Sequence, residues 1–304
     1  MARRIGGPTH GGLKETRSPL QFMNPRTQSI AIVGPGRLGQ ALGRLLVDEG
    51  YAVHWVASRR MATAKRAVRF IGEGRAVGLD SPELTQASVI LLTTSDAALA
   101  PVARQLAARS KNWRGRVVIH TSGSVPVSVL SPFKRRGAAI GCLHPFQTIP
   151  NPGTGVRNLR GGYWGIEGDP AARRIARWWV KALDGVAFTI RPENKILYHA
   201  AAFMVSPTTV TLMDQSIQFL KRSGVPDKIA RPMLGRFVTE TVKNFVELGG
   251  RRALTGPVMR DDWQVVRRHL AALHHEFPET VPLYKELLRA MLRLTGKRAL
   301  RGLK

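Results

Sequence analysis

A doubly wound α/β sheet followed by an all-helical segment is the architecture that this chain of 304 residues predicts. Three observations carry the expectation. A short apolar run, Ile30 to Val33, breaks into a glycine turn at Gly34, Gly36 and Gly39, and apolar residues then recur at helical spacing. Strand-like runs alternate with amphipathic stretches as far as Arg191. Beyond Arg191 the strand signal stops and helical periodicity alone remains.

Taken in order, residues 1–27 hold four glycines, three prolines, five basic residues and one acid, without periodicity. A disordered basic tail is expected there, with Met23 as an alternative start just ahead of the first strand. Strands are expected at 29–34, 51–57, 89–94, 116–120, 138–143, 163–167 and 186–190. Helices are expected between them at 37–48, 61–70, 97–109, 124–136 and 170–183, the last opened by Asp169 as cap and Pro170 in its first turn. Repeated β-α units imply a parallel sheet with helices on both faces. The Pro/Gly-rich stretch 149–162 reads as a long loop at its edge. The sheet domain therefore runs over 28–191 and a helical domain over 192–304, a division that suits a chain longer than a usual single domain. In the second domain Pro192 opens a helix toward Ser223, Pro226 opens another stopped by Gly249, and further helices cover about 261–276 and 279–296. Its surplus of apolar faces implies close interdomain packing or a homodimer.

One cysteine, Cys142, rules out an intramolecular disulfide and fits a reducing compartment. No uninterrupted apolar run approaches the roughly 18 residues of a membrane span, so a soluble cytoplasmic protein is expected. The net charge of +27 comes from 47 basic and 20 acidic residues spread along the whole chain. Without a basic stripe, zinc-finger spacing or an aromatic RNA-binding pattern, neither specific nucleic-acid binding nor a metal is expected. Diffuse charge of this kind steers small anions toward the protein.

The glycine turn gives the first chemistry. Strand, Gly-x-Gly-x-x-Gly and helix make a dinucleotide site of the Rossmann-like kind, with Arg37 and Leu38 inside the turn. An NAD site calls for an acid about 20 positions on. Here the second strand runs instead into Ser58, Arg59 and Arg60, which suit a 2′-phosphate, so the expected cofactor is NADP. Three later strand ends carry small polar groups: Thr93 to Asp96, His120 to Ser124, and His144 to Thr148. Thr94, Ser95, Asp96, Thr121 and Ser122 are expected to meet cofactor, and His144 and Gln147 to reach substrate. In the helical domain Lys195 and His199 lie four apart, on one helix face. The positive end of the helix dipole disfavours the Lys195 ammonium, which makes it the expected proton donor. Ser206 and Thr208 flank Pro207, which interrupts the same helix, and Arg260 is the expected partner of a substrate carboxylate.

The stretches VGPGRLG, LLTTSD, HTSGS, CLHPFQT, KILYHAAA and LTGPVMRDDWQVVRRHL resemble a family of two-domain proteins described as oxidoreductases, in which a Rossmann-like NADP domain precedes a helical domain of unknown function. More distantly the chain is similar to the β-hydroxyacid dehydrogenase and ketopantoate reductase group, whose interdomain helix begins with a lysine and, four residues on, an asparagine. That pattern falls on Lys195 and His199. The chain departs from the family at Ser206-Pro207, where Ser-Asn is expected, and at Arg260-Asp261-Asp262, where Arg-Gly-Asp is expected. The resemblance implies the fold and the NADP cofactor, and the reaction expected with them is hydride transfer between NADP(H) and a small keto, aldehyde or imine substrate bearing a carboxylate. The alternative is a module that senses NADP(H) without turnover.

Overall fold

A computed structural model describes residues 28–297, so the tail expected over 1–27 lies outside the described residues. Among the described residues eight strands and eleven α-helices follow one another, with β1 (Ile30–Val33), α1 (Arg37–Asp48), β2 (Val53–Ala57), α2 (Met61–Ile71), β3 (Arg75–Val77), β4 (Val89–Leu92) and α3 (Asp96–Ala107) first. Next come β5 (Val117–His120), α4 (Ser131–Lys134), β6 (Ala139–Pro145), α5 (Pro152–Leu159), β7 (Tyr163–Gly168), α6 (Pro170–Ala182) and β8 (Val186–Thr189). After β8 come α7 (Lys195–Arg222), α8 (Asp227–Leu248), α9 (Gly250–Ala253), α10 (Trp263–Glu276) and α11 (Val281–Thr295). Two compact units meet within α7, between Thr208 and Thr209.

The first unit is one sheet of order β3-β2-β1-β4-β5-β6-β7-β8. Strands β1, β4 and β5 are buried at every position, as expected of central strands covered on both faces. One apolar core gathers Leu42, Leu45 and Trp179 from α1 and α6, and another gathers Leu99, Leu106 and Phe133 from α3 and α4.

Five features depart from the sequence reading. Pairing is parallel except between β6 and β7, which run antiparallel with Cys142 opposite Glu167. The three-residue edge strand β3 was not expected; it is too short to show alternation. The expected loop over 149–162 contains α5, whose Asn151 side chain caps the Thr154 amide at 2.8 Å and whose Pro152 opens the first turn. The helix expected at 124–136 shrinks to a 3₁₀ turn at Val127–Leu130 and the four residues of α4. There the Ser122 hydroxyl accepts the amides of Ser124 and Val125 and so holds the chain in a turn. Asp169 precedes α6 but does not cap it; its carboxylate accepts from Lys134 and from the Ile140 amide.

The second unit has a small core of Val258, Val266, Leu288 and Leu292. Helix α8 buries only Ala230, leaving Phe237, Phe245 and Val246 exposed. Asp262, not Asp261, caps α10, by accepting from the Val265 amide at 3.3 Å. Helix α7 continues through Pro207 without a break. The helical stretch Pro192–Arg222 is, by length and composition, long and apolar enough to cross a membrane, which corrects the expectation that none would be. Interspersed Ser, Thr and Gln had hidden it as an apolar run. Its first turn is nonetheless committed to protein, since Lys195 is buried in the sheet unit.

Candidate active site

The turn after β1 is built for a close-lying anion. Gly34 has φ of +77°, and a Cβ there would lie 2.4 Å from the Thr94 methyl, so glycine is required. The Thr93 hydroxyl donates to the Gly34 carbonyl at 2.8 Å, and Gly39 packs against that same hydroxyl. A Cβ on Gly36 would instead meet no atom nearer than 3.9 Å. Gly36 also stands at the N-cap of α1, where no side chain caps the first amides. Open space over uncapped helix amides is a phosphate site. Beside it the Thr94 hydroxyl oxygen is buried without a partner among the described residues. An open cradle and an unmet hydroxyl fit a dinucleotide pyrophosphate.

Three cavities of the sheet unit share walls. The first, of about 360 Å³, has Gly34, Gly36, Ser58, Arg59, Thr94 and Ser95 in its lining. A second, of about 370 Å³, keeps Thr94 and Ser95 and adds Arg37, Leu38, Asp96, Thr121, Ser122, His144, Gln147 and His199. The third, of about 410 Å³, keeps His144, Gln147 and His199 and adds Ser206 together with Phe146, Phe203 and Val205. Shared residues thus make one groove from the end of β2 to the first turns of α7. Asp96 lies in the first turn of α3 and accepts from the Ser124 hydroxyl at 2.5 Å, so it ties two strand ends together without capping its helix. The Gln147 amide donates to the Asn158 carbonyl at 3.2 Å and its oxygen accepts from the Thr148 amide at 2.8 Å.

His144 is the most perturbed group facing this groove. Its Nδ1 lies 2.8 Å from the Tyr198 hydroxyl, and its ring is edge-on to those of Tyr198 and His199. Burial first, then the neighbouring His199 and Lys195, push its pKa down to about 4, so the ring is neutral at physiological pH. Burial pushes the Tyr198 phenol up. His120, fully buried at the end of β5, accepts the Ser122 amide at Nδ1, which leaves the proton on Nε2 without a partner among the described residues. Its pKa is held well below the ordinary histidine value by burial, then by Lys195 and His144.

Lys195 is not where its sequence role requires. Its side chain is 1% exposed, and its ammonium donates to Glu167 at 2.9 Å and to the Cys142 sulfur at 3.1 Å. It lines none of the three cavities, whereas His199, one turn on, lines two. The ammonium is therefore engaged beneath the groove and is not presented to a substrate. Burial pushes the Cys142 thiol up to about 11, so the sulfur beside Lys195 stays protonated. Two other expected residues of the sheet unit, Thr208 and Arg60, also lie off the groove, and Arg260 belongs to the second unit. Thr208 turns its hydroxyl back onto the Met204 carbonyl. Arg60 is exposed at the N-cap of α2. Arg260 is exposed on the second unit, in a turn where its amide donates to the Gly256 carbonyl. Sequence reasoning missed Tyr198, Glu167, Phe146 and Phe203. Tyr198 had a local signal, as it sits between Lys195 and His199; Glu167 had none, because only the antiparallel register brings it to Cys142.

Residues 14–145 match a Rossmann-like domain, and residues 162–291 match a domain of unknown function, DUF2520. The chain pairs a Rossmann-like domain with a DUF2520 domain. The DUF2520 match begins one residue before β7, so the last two strands of the sheet belong to it in sequence. A candidate NADP oxidoreductase from Bacteroides fragilis superposes with a TM-score of 0.72 at 21% identity, over 89% of this chain and 100% of that one. A Thermotoga maritima protein gives 0.68 at 22%, over 88% and 98%. The Plasmodium falciparum pyrroline carboxylate reductase with NADP bound gives 0.55 at 10%, over 88% and 100%. These likenesses establish the fold of the Rossmann-like and DUF2520 pair. No curated protein sequence matches.

Two outcomes follow from the buried groups. Lys195→Met leaves the Glu167 carboxylate buried and unpaired, so the unfolding free energy from urea titration should fall by about 3–5 kcal/mol. Adding Glu167→Gln should restore part of the loss, and an unchanged midpoint in the single variant would refute the pairing. His120 and His144 both have lowered pKa values, so an unfolded chain takes up protons that the folded one refuses. The contribution of His144 is complete above the ordinary value of 6.5 and is lost as pH falls from there toward about 4, and that of His120 is lost in the same direction. Melting temperature should drop over that interval, and His144→Asn should flatten the drop.

Proposed function

We propose that this chain is an NADP-dependent oxidoreductase that exchanges hydride between NADP(H) and a small ketone, aldehyde or imine. The observation that carries the reading is the continuous groove from Ser58 and Arg59, past Gly36 and Thr94, to His144 and Ser206. The α1 amides and the Gly36 backbone would hold the pyrophosphate, Ser58 and Arg59 the 2′-phosphate, and Thr121 and Ser122 the ribose and carboxamide end. A bound nicotinamide supplies or accepts the hydride. The descriptions of the Bacteroides fragilis and Plasmodium falciparum proteins as NADP-linked enzymes support the same cofactor here.

The chain's own contribution to the reaction centres on His144. With its Nδ1 on the Tyr198 hydroxyl, the neutral ring has Nε2 left to donate a hydrogen bond to a C=O or C=N acceptor. That bond polarises the acceptor and steadies the charge that develops on its heteroatom. Tyr198 fixes the ring, His199 closes the same wall, and Lys195 holds β6, β7 and α7 in register behind it.

We also place the protein in the cytoplasm as a homodimer. Support for the compartment is the free thiol of Cys142. Support for the dimer is the second unit itself, where α8 leaves Phe237 and Val246 70% and 76% exposed. A second copy laid on α8 would cover them.

NADPH should bind more tightly than NADH in calorimetry. Arg59→Asp should narrow that gap by about 1.5–3 kcal/mol, the scale of hydrogen bonds to a charged group. His144→Ala should keep NADPH affinity and lower turnover on a confirmed substrate by roughly 10²–10³-fold. Equal NADPH and NADH affinities in the unaltered protein would refute the cofactor assignment. In sedimentation, Val246→Glu should convert a dimer of the full chain to monomer, and a monomeric unaltered protein would refute the dimer.

A further inference from the structure

We infer that the cavity at His144 and His199 takes an uncharged carbonyl or imine compound bearing an apolar group of aromatic size, and discriminates against one bearing a carboxylate. This rests on the oxidoreductase reading and narrows its substrate. The cavity holds about 410 Å³, within the usual range for a small organic ligand. Phe146, Phe203, Val205 and Pro207 give it an apolar wall. Its polar groups are the neutral His144 ring, His199, Ser206, Thr148 and a Gln147 amide already tied to main chain at both ends.

Among the described residues no lysine, arginine, aspartate or glutamate lines this cavity, in a chain with 47 Lys and Arg among 304 residues. The contrast lies within one groove. Arg59 lines the cofactor end and Arg37 and Asp96 line the middle cavity that His144 and His199 also border, while on the far side of the two histidines the 410 Å³ cavity has neither guanidinium nor ammonium in its lining. Lys195, a cation close beneath that end, is buried against Glu167. A carboxylate leaving water for this wall would give up its hydration without gaining an ion pair, and that transfer is costly. The net charge of +27 draws anions of every kind to the surface, so selection has to come from the lining itself. An apolar ring loses nothing by the same transfer and covers Phe146 and Phe203.

The test uses phenylacetone and phenylpyruvate, which share a benzyl ketone and differ in a methyl against a carboxylate. Calorimetry on the full-length protein, without cofactor and loaded with NADP⁺, should show phenylacetone binding roughly ten-fold or more tightly than phenylpyruvate, a gap of about 1.4 kcal/mol. NADPH consumption should show the same order in kcat/KM. Phe203→Arg, at an exposed position on the cavity wall, should shift the binding ratio toward phenylpyruvate by a similar factor. Equal binding, preference for phenylpyruvate, binding of neither, or an unmoved ratio in Phe203→Arg would each overturn the inference. Selective phenylacetone binding with no NADPH consumption would sustain the selectivity of the cavity and overturn the oxidoreductase reading instead.

Discussion

One buried carboxylate joins the parts of the sheet unit that matter. Glu167 on β7 accepts the Val127 amide at 2.9 Å with one oxygen and the Lys195 ammonium at 2.9 Å with the other. Through those bonds a strand, the turn after β5 and the first turn of α7 are fixed to one another. Both charged side chains are almost wholly shielded from water, so neither can be left alone without a large penalty. The register across the sheet explains why the pair sits where it does. His120 on β5 is opposite Cys142 on β6, which is opposite Glu167 on β7. That transverse row forms a polar floor, and His144, two residues beyond Cys142, stands at the groove above it.

The first strand, its glycine turn and α1 were legible because their signals are local. Ile30 to Gly39 needs only its own residues to specify strand, turn and helix, and α1 occupies 37–48 as its periodicity indicates. Ser58 and Arg59 follow by distance along the chain. The substrate half was not legible in the same way. Lys195 and His199 are four apart and do share a helix face, yet one turn decides that the first is buried under β6 and β7 while the second reaches the groove. Helical spacing cannot tell which side of an approaching sheet a residue will meet. The reversed direction of β7 was equally hidden, because an isolated apolar strand reads the same in either sense. Helix α5 had a proper start signal in Asn151-Pro152, but Gly153 and Gly155 masked it as a loop.

Composition and contact chemistry act at different ranges here. The uniform basic excess sets a field over the whole molecule and favours phosphate-bearing ligands. Which anion is admitted, and where, depends on individual side chains: Arg59 beside an uncapped helix start at one end of the groove, phenyl rings and neutral imidazole at the other. The Lys195 ammonium illustrates the difference, since it adds to the field and lowers the pKa of His144 while contacting nothing in the groove.

The antiparallel seam between β6 and β7 also sets how this polypeptide can be divided. The two sequence families meet between residues 145 and 162, so a gene cut at that junction would put β7 and β8 on the second fragment. The first fragment would then end at β6, whose Ile140, Cys142 and Leu143 are buried in the whole chain, with a full row of ladder amides and carbonyls unsatisfied. An unprotected apolar edge of that kind recruits other strands. Heredity and mechanics therefore draw the border in different places: what is inherited as the start of the second domain is, physically, the hem of the first.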